Sequence, residues 1–139
     1  MTMLNTQAAI ICGAALLVIS TAHARDIVVG QSTALTGVLA SSGVPMRLGA
    51  QICFDLVNEE GGVNGERIRF ISLDDGYKVD ETLKNVKGLI ENDNVVVLVG
   101  GSGTSNNEAL LKQKILANAN LAVVGLRRRS IVCTLKVSV

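Results

Sequence analysis

Residues Arg47–Tyr77, RLGAQICFDLVNEEGGVNGERIRFISLDDGY, carry the reading that decides the fold. Leu48, Ile52 and Leu56 recur every four residues, flanked by Gly49, Cys53 and Val57, which predicts a helix with one apolar stripe. Gly61-Gly62 stops that helix, because glycine accepts the left-handed conformation in which helices end. Asn64-Gly65 favours a tight turn. Arg67–Leu73 then alternates polar and apolar residues, as a half-covered strand does. Asp74-Asp75-Gly76 closes the strand with turn formers.

The same pattern repeats outward from this unit. Ile27–Gly30 reads as a first strand and Gln31–Gly43 as a loop rich in Ser, Thr and Gly. The first helix is expected over Val44–Glu60, with Pro45 in its first turn. Asp80 is expected to cap a second helix, Glu81–Asn92, with Leu83, Val86, Leu89 and Ile90 as its stripe. Val95–Val99 is an unbroken aliphatic run, as in a buried parallel strand. Ser105-Asn106-Asn107-Glu108 has the form of a capping box opening a third helix to about Asn118. Leu121–Val124 is a fourth strand. The order β-α-β-α-β-α-β predicts an α/β fold, a partial doubly wound parallel sheet with right-handed crossovers.

Composition bounds the rest. The chain has 139 residues, 2% of them aromatic, so its core must be aliphatic. The first 24 residues lack Asp, Glu, Lys and Arg, and an apolar run over Ala8–Ile19 precedes Ala22-His23-Ala24. This is expected to be a signal peptide, residues 1–24, cleaved after Ala24. His23, the chain's one histidine, leaves with it. No metal site and no cofactor is assigned. Of the remaining cysteines, Cys53 on the apolar stripe reads as a small buried hydrophobe, and no native disulfide with Cys133 is expected. Through Gly125 the chain carries 9 basic and 12 acidic residues; Arg127, Arg128, Arg129 and Lys136 bring the total to +1. Basic charge confined to a tail argues against a nucleic-acid partner.

From Ile27 to Gly125 the chain resembles the first lobe of the periplasmic substrate-binding proteins of branched-chain amino acid (Leu/Ile/Val-type) ABC transporters. The signature is the Arg47–Tyr77 stretch just quoted. The resemblance implies a type I periplasmic-binding lobe over residues 25–125 and capture of an amino acid or related small carboxylate. It further implies a periplasmic location, contact with the membrane only through export, and an ABC permease as partner in full-length relatives. It implies no enzyme activity. Residues 126–139 depart from the family, which continues with a hinge and a second lobe; the expectation is a truncated or frameshifted reading frame with an aberrant basic tail.

In open parallel sheets, ligands lie beyond the carboxyl ends of the strands. Gly100–Ser105 precedes a helix N-terminus, where free N–H groups attract an anion. The family holds its ligand's α-carboxylate with hydroxyl residues here, which implies ligand-binding roles for Thr104 and Ser105. The alternative is that Ser105 only caps the helix. Ser42, in the loop after the first strand, falls where the family places a further ligand contact; the alternative is a solvated loop residue. Asp74-Asp75 lacks a nucleophile or metal partner and reads as an exposed structural turn. Leu126–Ser130 occupies the place of the family's ammonium-binding loop, but three arginines would repel an ammonium, so no site is assigned there. Two other readings stand beside this one. One is a non-functional fragment. The other is a small flavodoxin-like or nucleotide-binding domain, although Gly101-x-Gly103 lacks a third glycine and no Gly-Lys-Ser/Thr follows.

Overall fold

The computed structural model describes residues 26–125. The elements are β1 (Ile27–Thr33), a 3-10 turn at Gly37–Leu39, α1 (Ala40–Glu59), β2 (Ile68–Asp74), α2 (Val79–Glu91), β3 (Val97–Val99), α3 (Thr104–Lys112), α4 (Ile115–Asn118) and β4 (Ala122–Val124). The four strands form one parallel sheet in the order β2-β1-β3-β4. The expected α/β sheet is therefore present, and its winding reverses direction between β1 and β3. The expected leader (1–24) and basic tail (126–139) lie outside the described residues.

The central turn of the fold forms as the sequence dictates. Gly62 N–H donates to Val57 O at 2.8 Å and Gly61 N–H to Asn58 O at 3.2 Å, which closes α1 with paired bonds back into its last turn. Gly61 and Gly62 both take positive φ, 103° and 78°. Asn58 then reaches across: its amide donates to Ile68 O at 2.8 Å and its carbonyl accepts from Ile68 N–H at 2.7 Å. One side chain thus pins the end of α1 to the start of β2.

Residues facing α2 and α3 make the apolar core, Val28, Val86, Leu89, Val95, Leu98 and Leu110, with Leu83 and Ile90 packed against it. The α2 stripe is where the sequence placed it. The α1 stripe is not. Leu48, Ile52 and Leu56 are each about half exposed, while Gly43, Ala50 and Val57 are buried. A strict four-residue repeat advances 400° per step and so drifts 40° around the helix each time. It cannot stay against a sheet. The contact face is made instead by Ala50 and Val57, and by Phe54, whose ring meets Phe70 of β2 edge-on at 5.2 Å.

Several boundaries differ from expectation. β1 runs three residues past Gly30, because Gln31 and Thr33 are fully buried and find polar partners there. α1 starts at Ala40, so Ser42 is helical and Pro45 lies beyond the first turn. Asp80 does not cap α2; Lys78 holds the N-cap position without a side-chain bond, and Asp80 sits in the first turn, where its charge suits the helix dipole. β3 begins at Val97 rather than Val95. The third helix breaks at Lys114, which takes a left-handed φ of 54° and divides α3 from α4. Cys53 is half-buried and disulfide-bonded, against the reading of an unpaired hydrophobe. The other two cysteines, Cys12 and Cys133, lie outside the described residues.

Candidate functional site

The reversal between β1 and β3 opens a crevice at the carboxyl ends of those strands. Ser102, in the loop after β3, spans it. Its hydroxyl shares a 2.9 Å hydrogen bond with the Thr33 hydroxyl and accepts from Ala34 N–H at 3.2 Å. Gln31, fully buried on β1, braces the same crossing: it accepts from Ser72 Oγ of β2 at 2.8 Å and donates to Gly100 O at 3.2 Å.

Gly103 holds the N-cap position of α3 with φ 100°. A Cβ there would lie 2.5 Å from Tyr77 Cε2, so only glycine lets the Tyr77 ring rest on this turn. Thr104 and Ser105 follow, both exposed on the first turn of α3. Asn107 N–H donates to Gly103 O at 3.1 Å. The N–H groups of Thr104, Ser105 and Asn106 precede that first helical bond and have no partner within the helix. Two exposed hydroxyl residues and three N–H groups therefore share one positive helix end, an arrangement suited to an anion. The capping box expected at Ser105 does not form, since Ser105 is already helical; Glu108 pairs with Lys112 at 2.8 Å instead.

Beneath this turn lies a buried network that the sequence reading missed. Asp75 is 1% exposed, not an open turn residue. Its Oδ2 accepts from Ser32 Oγ at 3.0 Å and Thr82 Oγ1 at 2.9 Å, and its Oδ1 accepts from Tyr77 N–H at 2.9 Å. Thr82 Oγ1 in turn accepts from Asn106 Nδ2 at 2.7 Å. Asn106 is the buried residue of the α3 first turn, so one carboxylate ties that turn to α2 and β1. Among the described residues every buried side-chain polar atom has a hydrogen-bond partner. Asp74 faces the other way and is exposed, as expected. Its Oδ2 accepts from the Thr36 hydroxyl at 2.6 Å, and its Oδ1 from the N–H groups of Leu35, Gly76 and Thr36. The Thr36 hydroxyl above all, then these N–H groups, lower its pKa from 3.8 to about 2.

Ser42 stands apart from the pair on α3. It is exposed on the first turn of α1. The link between the two runs through Ala34: a Cβ on Gly43 would fall 1.9 Å from Ala34 O, and Ala34 N–H is bonded to Ser102. Ser42 thus adjoins the β1 end through its neighbour Gly43. Leu126–Ser130 lies outside the described residues. The lone hydroxyl between the glycines of Gly100–Gly103 was the one signal in the sequence that could have singled out Ser102. Among the described residues no three His, Cys, Asp or Glu side chains group to hold a metal ion.

Comparison with known proteins agrees with this fold. A substrate-binding periplasmic protein from Ralstonia solanacearum superposes with a TM-score of 0.71 at 43% identity, over 72% of this chain and 28% of that one. A protein from Rhodopirellula baltica, described as a possible leucine/isoleucine/valine-binding protein, gives 0.65 at 30% identity, over 70% and 26%. An amino acid binding protein of Pseudomonas aeruginosa is 30% identical over 82 residues, 59% of this chain and 22% of its own length. The chain thus spans about a quarter of the length of these relatives. Residues 26–134 match the periplasmic binding protein family throughout, and the chain belongs to that family.

Proposed function

We propose that this chain forms the carboxylate-facing wall of a solute cleft and serves capture of a branched-chain amino acid or related small carboxylate for an ABC importer. The observation that carries this reading is the exposed pair Thr104 and Ser105 at the N-terminus of α3, beside the crevice between β1 and β3. The helix end and its free N–H groups suit a carboxylate. Ser42, adjoining the β1 end through Gly43, would be a further contact to the solute. The names of the Rhodopirellula and Pseudomonas relatives support an amino acid as the solute.

A single wall buries little of a small ligand, so binding by this chain alone is expected to be weaker than about 1 mM. Two-dimensional amide NMR with leucine and with acetate, at concentrations on the order of 10 mM, tests this. Shifts should concentrate at Ser102–Asn106, and Thr104→Ala/Ser105→Ala should remove them. Shifts elsewhere, or none at these amides, would reject the site. Saturable micromolar binding would make the short chain a complete binder.

Export to the periplasm by cleavage after Ala24 belongs to the same proposal. Intact mass of periplasmic protein should correspond to a chain beginning at Arg25. A species retaining Met1 in the membrane would overturn it.

A further inference from the structure

We propose that α1 carries a self-association surface whose partner is a second copy of this chain, packed antiparallel about a two-fold axis near Ile52. Val44, Leu48, Ile52 and Leu56 are 41%, 52%, 52% and 51% exposed and stand at four-residue intervals on a 20-residue helix. They form one apolar ridge roughly 18 Å long, at about 1.5 Å of rise per residue. Such i, i+4 ridges pack into the matching groove of another helix, most often crossing at about 50°. A two-fold pairing needs a surface complementary to itself. The charges beside this ridge meet that demand. The C-terminal half of α1 exposes Asp55 and Glu59; the N-terminal half exposes Arg47 and has no acidic residue in its first turn. Gln51 Nε2 donates to Asp55 Oδ1 at 2.9 Å and holds that carboxylate alongside the ridge. Antiparallel pairing brings Asp55 and Glu59 to the partner's Arg47 and to its positive helix end. Parallel pairing would set like against like. The proposal does not depend on the solute reading.

The ridge is smaller than the roughly 800 Å² per partner of a standard stable interface, so the dimer is weak, with a dissociation constant of roughly 10–100 μM. A second apolar patch, Val123 and Val124 on β4, is the competing route to association. Analytical ultracentrifugation of the chain, on a sample that runs as a monomer on a non-reducing gel, should show a concentration-dependent monomer–dimer equilibrium. Ile52→Glu should weaken it at least about tenfold with an unchanged circular dichroism spectrum. Arg47→Glu should weaken it roughly fivefold through its two symmetry-related ion pairs, and Arg47→Glu/Asp55→Arg should restore it. Val124→Glu should leave it unchanged. A chain that stays monomeric to about 500 μM overturns the proposal. So does association abolished by Val124→Glu rather than Ile52→Glu, or charge reversal without rescue.

Discussion

The two faces of the sheet are built on different terms. The face under α2 and α3 is aliphatic in its middle, where Val28, Leu98, Val86, Leu89 and Leu110 interlock, and turns polar at the strand ends, where Ser32, Thr82 and Asn106 are buried around Asp75. The face under α1 buries Gln31 and Thr33 at 0% exposure, with Ala50 and Val57 above, and sends the large aliphatics of α1 outward. The first face supplies the burial that holds the fold. The second carries polar struts, Gln31 to Ser72 and Gly100 and Thr33 to Ser102, that set where the strand ends and their loops lie. The α1 face thus orders the strand ends, while the α2/α3 face supplies the apolar burial and, through Asp75, anchors the first turn of α3.

The sharpest test of that division compares two leucines. Leu89→Ala, at 0% exposure in the core, should destabilise by about 3 kcal/mol through lost transfer energy and the cavity left behind. Leu48→Ala, half exposed on α1, should change stability by less than about 0.5 kcal/mol. Urea denaturation of both variants gives the answer, and equal losses would erase the contrast between the buried stripe of α2 and the outward stripe of α1.

Asp75→Ala comes next. It strands the Ser32 and Thr82 hydroxyls and the Tyr77 N–H, all within a buried network, and should destabilise by about 2 kcal/mol. Hydrogen exchange should quicken at the Asn107 N–H, the first bonded amide of α3, because Asn106 loses the anchored Thr82. Unchanged exchange there would mean that Asp75 supports only its own turn.

The smallest effect belongs to Asp74, whose pKa is lowered to about 2. A lowered carboxylate pKa adds stability at pH values above its ordinary pKa of 3.8, and that contribution is lost as pH falls from there through about 2. Acid titration of wild type against Asp74→Asn should therefore diverge above pH 4 and converge below pH 2. Parallel curves across that window would show that the Thr36 contacts contribute nothing.

Much of this was legible from local signals. Gly61-Gly62 and Asn64-Gly65 produced the stop and the turn expected of them, since positive φ is a property of the residue and its neighbours alone. The α2 stripe was legible because its spacing follows the 3.6-residue turn. The α1 stripe misled because a four-residue repeat drifts, and which arc of a helix meets the sheet depends on what the sheet offers. The helix start at Thr104 and Ser105 was legible because a glycine loop before a helix marks a helix N-terminus in sequence. Ser102, Asp75 and Asn106 were not, because each acts through partners distant in the chain.

The sequence by itself determined the alternation of strands and helices, the parallel sheet, the glycine turns and the family, all of which rest on short-range pattern. Only the tertiary structure decided that Asp75 is buried while Asp74 is exposed, that Ser102 bridges β1 and β3, and that Gly43, beside Ser42, packs against Ala34. The reason is physical. Backbone conformation follows from neighbours a few residues away, whereas burial and hydrogen-bond partnership follow from which strands the crossovers bring side by side. Here a contact such as Thr33 with Ser102 closes over 69 residues.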